Sequence, residues 1–316
     1  MKKIIAALMA IMLLVSLASC GTKTAGEDTT TAQAETESAA TTEAETSAED
    51  TTAAPASETS KAAEDAESTT AAEGKSVSEE STTEAKKIPQ TKEEILAAYT
   101  EVMNQAKKDA PAFTKIEYQE LPSDANSRQV SKGGAVINAA LKVAGTFMTS
   151  EAKAKEDPEI QAKGNNMRSW PVCKSPKGCM LTDTSAIKSA KCEKLPDGQY
   201  KITLVLNAEQ NPEPCADGGT TSPSKTGAVF SPLSRKEIDE NLSGGVVSAV
   251  ATDISYNITY HDCMTSVTYN PENNHVSAVD QTTYVTIKGQ GKVVGLQMIV
   301  DKQELIDYMH IYDIKY

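Results

Sequence analysis

The chain has few histidines and aromatic residues, and it lacks the common cofactor motifs. Its 316 residues include three histidines, one tryptophan and 4% aromatic residues. Because His261, His275 and His310 are far apart and lack zinc-ligand spacing, we expect no metal site and no cofactor. No glycine-rich phosphate loop is predicted, because Gly289-Gln290-Gly291 lies between two predicted strands and should be a turn. Beyond residues 4–17, no apolar run approaches the roughly 20 residues that span a membrane.

An excess of positive charge is also missing. The net charge is −13, and it is distributed unevenly along the chain. Residues 21–88 contain 16 acidic and 5 basic residues, whereas residues 89–316 contain 28 acidic and 24 basic ones. Residues 89–316 therefore lack the basic patch of a nucleic-acid-binding protein. We expect no nucleic-acid partner, and most of the acidity belongs to residues 21–88.

The N-terminal segment 1–20 has the features of an export signal in the usual order. Two lysines follow the initiator methionine, and the apolar run 4–17 has the length of a signal peptide core. The run ends in Leu17-Ala18-Ser19-Cys20, which resembles the lipobox of bacterial lipoproteins. The resemblance implies removal of the signal 1–19 and a diacylglyceryl group on Cys20. The alternatives are an ordinary cleaved signal or an uncleaved anchor.

Two acyl chains suffice to hold a protein stably at a membrane, whereas one gives only marginal binding. The lipobox resemblance therefore predicts that the membrane is a partner through the lipid on Cys20. It also predicts an extracytoplasmic location, with the protein anchored at the bacterial cell surface.

The segment that follows is predicted to be a spacer. Of residues 21–88, 53 are Thr, Ala, Ser or Glu. Such a chain buries too little apolar surface to offset the entropy that ordering would cost. Residues 20–88 are therefore expected to be the lipidated cysteine and a disordered stalk of about 45 Å root-mean-square length. A glycosylated tract is the alternative, because Ser- and Thr-rich stretches can carry O-linked sugars.

The folded domain is predicted to be residues 89–316, which hold all 14 aromatic residues. Thr91-Lys92-Glu93-Glu94 forms a capping box, and apolar residues at helical spacing follow it as far as residue 106. Residues 133–148 repeat the helical pattern. Ser234 and Glu237 predict a further short helix that ends before Gly244.

After Trp170 the apolar pattern changes to a period of two. Pro196-Asp197-Gly198 predicts the turn of a hairpin between residues 185–194 and 199–207. Further strands are predicted at 252–260, 263–269, 276–288 and 292–300. Helices followed by strands indicate an α+β fold, with N-terminal helices packed on a mainly antiparallel C-terminal sheet.

Signal, lipobox, acidic stalk and C-terminal domain together resemble uncharacterised surface lipoproteins of Gram-positive Clostridia. In shape, the combination of helices and a curved antiparallel sheet is also similar to the half-barrel lipoprotein carriers that bind acyl chains. These resemblances imply a domain displayed outside the membrane, and the second implies an apolar ligand.

Five cysteines remain after Cys20, and export makes disulfides chemically possible. We predict a bond between Cys173 and Cys179, which would close a short turn, and a second between Cys192 and Cys215. Cys263 would then be left over. The alternative is that several thiols are reduced and buried. His261-Asp262-Cys263 lacks a positioned third group, so we assign no catalytic role to it.

No catalytic residue is identified, so we expect a non-enzymatic module that binds a small molecule, a glycan or a protein. Trp170, with Arg168 two residues before it, is the candidate for binding. Seven of the ten tyrosines lie between residues 256 and 316, and core packing explains them better than ligand contact. The alternatives are an extracytoplasmic hydrolase of cell-wall or host polymers and a structural or assembly factor of the envelope. An apolar pocket would favour the binding module, and a cleft with paired carboxylates would favour the hydrolase. A flat apolar patch would favour the assembly factor.

Overall fold

The structure, a computed structural model, describes residues 87–244, 248–249 and 251–316. The predicted signal 1–19, the lipidated Cys20 and the spacer up to residue 86 lie outside the described residues.

The described strands form one antiparallel sheet. Their bounds are β1 Ala112–Glu120, β2 Arg128–Lys132, β3 Glu159–Gln161, β4 Ile187–Lys194, β5 Tyr200–Leu206, β6 Glu209–Gln210, β7 Ala251–Tyr269, β8 Val276–Val293 and β9 Leu296–Lys315. The strand order is β3-β1-β9-β8-β7-β5-β4, with β2 also beside β9 and β6 beside β7. Every pairing is antiparallel, so the prediction of a mainly antiparallel sheet is confirmed.

Helices are few by comparison with strands. Their bounds are α1 Lys92–Asp109, α2 Gly134–Phe147, α3 Glu151–Glu156 and α4 Arg235–Ser243. The capping box that predicts the start of α1 is present, because the Thr91 hydroxyl accepts from the Glu94 amide and the Glu94 carboxylate accepts from the Thr91 amide. Ser234 likewise caps α4 by accepting from the Glu237 amide. These local signals identify helix starts because they act within one turn of the chain.

Helix α1 supplies the apolar face of the main core. Tyr99, Val102 and Met103 are at most 1% exposed, and the Tyr99 hydroxyl lies 3.0 Å from the Thr265 hydroxyl on β7. Near the end of the helix, the buried Lys107 ammonium donates to the carbonyl oxygens of Met167, Trp170 and Val172 at 2.6, 2.9 and 3.0 Å. Burial lowers the pKa of Lys107 to about 8, which still leaves it charged at neutral pH. This ammonium fixes the loop 167–172 against α1.

The three C-terminal strands are longer than predicted. Residues 252–260 and 263–269 belong to one strand, β7, and β9 continues through residues 301–315, for which no strand was predicted. The prediction of a turn at Gly289-Gln290-Gly291 is wrong, since these residues lie inside β8 and the chain reverses at Val294 and Gly295. A Cβ on Gly291 would meet the Ile254 side chain at 3.3 Å. This glycine therefore permits close approach of β7 and β8, a role that glycine often has within strands.

Among the described residues, no helix has both the length and the apolar character needed to cross a membrane.

Candidate functional site

An apolar cavity of about 160 Å³ lies between one face of the sheet and two helices. Strands β7, β8 and β9 form its floor, with Ile258, Ile287 and Leu305 among the lining side chains. Helices α2 and α4 and the segment that follows β1 supply the remaining walls. The cavity is partly open, and exposed residues of β7 and β8, including Ser255 and Lys292, stand at its edge.

The helical walls follow from the spacing of apolar residues. Ile137, Leu141 and Ala144 are at most 5% exposed, and their spacing of four and three residues places them on one face of α2. Ile238 and Leu242 are four residues apart on α4, and both line the cavity. The two helices therefore present aliphatic surface, with no charged group, to the space above the sheet.

A tyrosine ties α4 to the sheet at the margin of the cavity. The Tyr256 hydroxyl on β7 donates to the Asp239 carboxylate at 2.6 Å, and the Arg235 guanidinium lies 4.8 Å above the Tyr256 ring. Burial and the hydrogen bond to Asp239 raise the pKa of Tyr256 to about 12, so the hydroxyl remains a neutral donor. The hydroxyl and the ring of this tyrosine both hold α4 in place.

The lining of this cavity carries few groups that could perform acid–base chemistry. Its ionisable lining groups are Tyr256 and Lys292, and the Lys292 ammonium is paired with the Asp253 carboxylate at 2.8 Å. The polar lining residue on β9, Gln303, accepts from Arg128 and donates to backbone carbonyls. No acid and base among the described residues converge on the space, so apolar contact is what the cavity offers to a ligand.

A second, polar cavity of about 50 Å³ lies further along the same face of the sheet. Lys115 and Glu117 on β1 and Asp307 on β9 line it, together with hydroxyl and amide groups of β7 and β8. The Lys115 ammonium, on a residue that is 5% exposed, lies 2.5 Å from the Glu117 carboxylate and donates to the Ser169 carbonyl at 3.3 Å. Gln119 donates to the Asp307 carboxyl at 2.7 Å.

The three charged groups of the polar cavity have different electrostatic surroundings. Burial, and after it the nearby Glu117 carboxylate, raise the pKa of Asp307 to about 7. Burial alone would also raise the pKa of Glu117, but the Lys115 ammonium outweighs it and holds that pKa below its usual value. For Lys115, burial alone would lower the pKa, but the Glu117 carboxylate more than offsets it and raises the pKa. Asp307 is therefore the carboxyl without a cation of its own.

Leu305 lies between the two cavities and borders both. Its side chain is 3% exposed and lines both of them. Asp307 is two residues further along β9, so its side chain points to the same face about 7 Å away. The register brings Asp307 opposite Gln119 on β1 and Thr283 on β8. An apolar space thus ends one residue pair away from a carboxyl group.

The sequence pattern did not reveal the polar cavity. The pattern of residues 113–121 predicts a strand with Ile116 and Tyr118 on one face. In the structure, Tyr118 instead stacks on Tyr308 across the other face of the sheet, with ring centroids 4.7 Å apart. The alternating Lys115 and Glu117 are the ones that share the core side with Phe113. Lys115 and Glu117 alternate with Ile116 and Tyr118, which could have indicated a polar face. Alternation alone, however, does not say which face of a strand is covered.

Neither of the residues predicted to bind a ligand lines either cavity. Trp170 is 0% exposed and packs edge to face on Phe113, with ring centroids 5.4 Å apart. The Arg168 guanidinium forms two parallel hydrogen bonds with the Asp217 carboxylate, at 2.8 and 2.6 Å. These positions do not support a binding role for Trp170 at the surface, and neither residue lines the apolar cavity.

The five described cysteines are free thiols. Neither the predicted Cys173–Cys179 bond nor the predicted Cys192–Cys215 bond is present in this structure. Cys179 is held against α1, where it accepts from the Thr100 hydroxyl. The buried Cys215 thiol contacts carbonyls of its own loop, while Cys192 lies on β4, the last strand in the sheet order. Cys192 and Cys215 therefore have different surroundings.

His261 and Cys263 do not form an acid–base and nucleophile pair. The His261 ring contacts the Asp262 and Glu304 carboxylates at 3.0 and 3.3 Å. Cys263 is 2% exposed, and burial raises the pKa of its thiol to about 12. Within residues 87–244, 248–249 and 251–316, no group of three or more His, Cys, Asp or Glu side chains could hold a metal ion.

Comparisons of the chain with models of protein families, with curated proteins and with solved structures find no match.

Proposed function

We propose that this protein is a membrane-anchored surface lipoprotein whose folded domain binds an apolar ligand without transforming it. The lipobox resemblance at Leu17-Ala18-Ser19-Cys20 supports the anchor and the extracytoplasmic location. The apolar cavity between the sheet, α2 and α4 is the single observation that supports binding. In this proposal the helices pack on the antiparallel sheet to enclose the ligand, and residues 20–88 separate the domain from the membrane.

The size of the cavity limits what it holds. An engineered apolar cavity of about 150 Å³ stays dry and binds a single benzene ring. Pockets for whole drug-sized molecules are larger, at about 300–1,000 Å³. A volume of about 160 Å³ therefore suits one ring or a short alkyl segment. The ligand is a small apolar molecule or the apolar end of a larger amphiphile that extends through the open side.

The alternatives from the sequence have less support. A hydrolase of polymers needs an open cleft beside its paired carboxylates, whereas the cavity that Glu117 and Asp307 share measures about 50 Å³. An assembly factor needs a broad apolar patch. Of the large apolar side chains that are exposed in the described part of the chain, Val294 and Leu296 are the neighbouring pair, and they occupy one hairpin tip.

Filling the cavity with a covalently attached ring tests the proposal. Ala144 is 1% exposed and lines the cavity from α2, so Ala144→Phe places a phenyl ring where the ligand would lie. Ala139→Phe is the matched control, because Ala139 is exposed on the same helix. Benzene titrated into the full chain, followed by calorimetry, should bind the wild type and the Ala139 variant alike. Ala144→Phe should lose at least tenfold in affinity.

Stability provides the accompanying check on folding. Filling an empty cavity restores up to about 24 cal/mol per Å³, which for about 160 Å³ sets a ceiling near 4 kcal/mol. Overpacking costs about 1–3 kcal/mol. Ala144→Phe should therefore remain folded, and its free energy of unfolding should be at most about 3 kcal/mol lower than that of the wild type. Absence of benzene binding to the wild type, or unchanged binding by folded Ala144→Phe, would contradict the proposal.

A further inference from the structure

We propose that the ligand is an amphiphile with a small primary amine head, and that the head is received by Asp307 in the polar cavity while the alkyl part occupies the apolar cavity. This inference rests on the proposed binding function and specifies its ligand. Its basis is the arrangement of the two cavities along β9, where Leu305 borders both and Asp307 follows two residues later.

The distance between the two cavities suits a short molecule. Side chains two residues apart on a strand are about 7 Å apart on the same face. An alkyl chain lying against Leu305 therefore brings its end group within reach of Asp307. The polar side chains of the second cavity are half-buried or buried, so such an end group would lose part of its contact with water and would need hydrogen-bond partners there.

The charge balance of the polar cavity selects the sign of the head. One ammonium, that of Lys115, faces two carboxyl groups, those of Glu117 and Asp307. Lys115 is committed to Glu117 at 2.5 Å and to the Ser169 carbonyl. A cationic head supplies the counter-charge that Asp307 lacks, whereas a carboxylate head would add a third negative group to the same enclosure.

The remaining polar groups that face this space are compatible with an ammonium. Thr283 and Gln281 on β8, Tyr260 on β7 and Ser231 in the loop before α4 line the cavity with hydroxyl and amide groups. Among the described residues, Lys115 is the one cationic group that lines it, and its neighbour Glu117 neutralises it. An ammonium donates three hydrogen bonds and accepts none, so oxygen-bearing walls suit it.

The volume of the polar cavity restricts the head to a compact group. A water molecule occupies about 30 Å³ in the liquid, and the cavity measures about 50 Å³. A single ammonium or hydroxyl group fits this space. Sugar, phosphate and quaternary ammonium heads are too large for it without movement of the surrounding strands.

Three six-carbon probes that differ in their head group test the inference on the full chain. We expect calorimetry at pH 7 to show hexylamine binding at least tenfold more tightly than hexanol, and hexanoate binding most weakly. Asp307→Asn keeps the shape of the side chain and removes its charge, so it should reduce the preference for hexylamine over hexanol to less than threefold. Asp301→Asn, on an exposed carboxylate of the same strand, should retain the full preference.

The possible outcomes separate this inference from the function on which it rests. Similar affinities for all three probes, or an amine preference that survives in a folded Asp307→Asn variant, would overturn the amine head and leave apolar binding intact. Tighter binding of hexanoate would overturn it as well. Failure of every probe and of benzene to bind the wild type would overturn both proposals.

Discussion

The Asp307 carboxyl should make the stability of this protein depend on pH in a direction opposite to that of an ordinary acidic residue. Its pKa rises from the usual value of 3.8 to about 7 because the side chain is buried and lies close to Glu117. The folded state therefore binds more protons than the unfolded state between about pH 4 and pH 7. Within this window the free energy of unfolding contributed by Asp307 falls as the pH rises.

The magnitude follows from the size of the shift. Each pKa unit corresponds to about 1.4 kcal/mol, so a shift of about three units corresponds to about 4 kcal/mol. Asp307→Asn resembles the protonated carboxyl and can still accept the hydrogen bond from Gln119. The free energy of unfolding of the variant should equal that of the wild type at pH 4 and should exceed it by about 4 kcal/mol at pH 8.

The assay uses the single tryptophan. Trp170 is 0% exposed in the folded state, so its fluorescence reports unfolding in urea at each pH. Asp301→Asn, on the exposed part of the same strand, controls for the loss of one negative charge. If the stability difference between wild type and Asp307→Asn is the same at pH 4.5 and pH 8, the carboxyl is not in the enclosed, uncompensated position described above.

Three further predictions concern the loop beside α1, the lipid on Cys20 and the five remaining cysteines. Lys107→Met should cost about 3 kcal/mol in urea unfolding, because three buried carbonyls lose a charged donor. Lys108→Met, exposed on the next position, is its control, and a loss within about 0.5 kcal/mol of that control would refute the ammonium's structural role. Mass spectrometry of the native protein should find a diacylglyceryl group on Cys20 at the start of the mature chain. An unmodified Cys20 in the mature protein would refute the anchor. Alkylation after denaturation without reduction should label all five remaining cysteines, whereas the two predicted disulfides would leave one site.

Local signals predicted those parts of the fold that depend on neighbouring residues. The capping box at Thr91 and Glu94 marks the start of α1, and Pro196-Asp197-Gly198 marks the hairpin between β4 and β5, because each acts over a few residues. The predicted turn at Gly289-Gln290-Gly291 was wrong for the opposite reason. A glycine within a strand and a glycine in a turn look alike in sequence, and only the approach of Ile254 from β7 distinguishes them.

The candidate sites could be predicted only in part. Apolar spacing predicted a helix over residues 133–148, but it gave no sign that Ile137, Leu141 and Ala144 line a cavity. The polar cavity was missed because Lys115 and Glu117 lie on β1 and Asp307 lies on β9, so that strand pairing alone brings them together. Burying such groups runs against their usual preference for water, so hydrophobicity patterns place them outside.

The amino-acid sequence is enough to divide this chain into an apolar N-terminal segment, an acidic low-complexity segment and a region rich in strand patterns. Composition suffices for that division, because it sets how much apolar surface each segment can bury. Long-range packing determines which face of β1 is covered and how far β7, β8 and β9 extend. It also places Leu305 between an apolar and a polar space. Those features depend on the register of strands that are distant in sequence, and register is fixed by packing of the whole sheet against the groups that cover it.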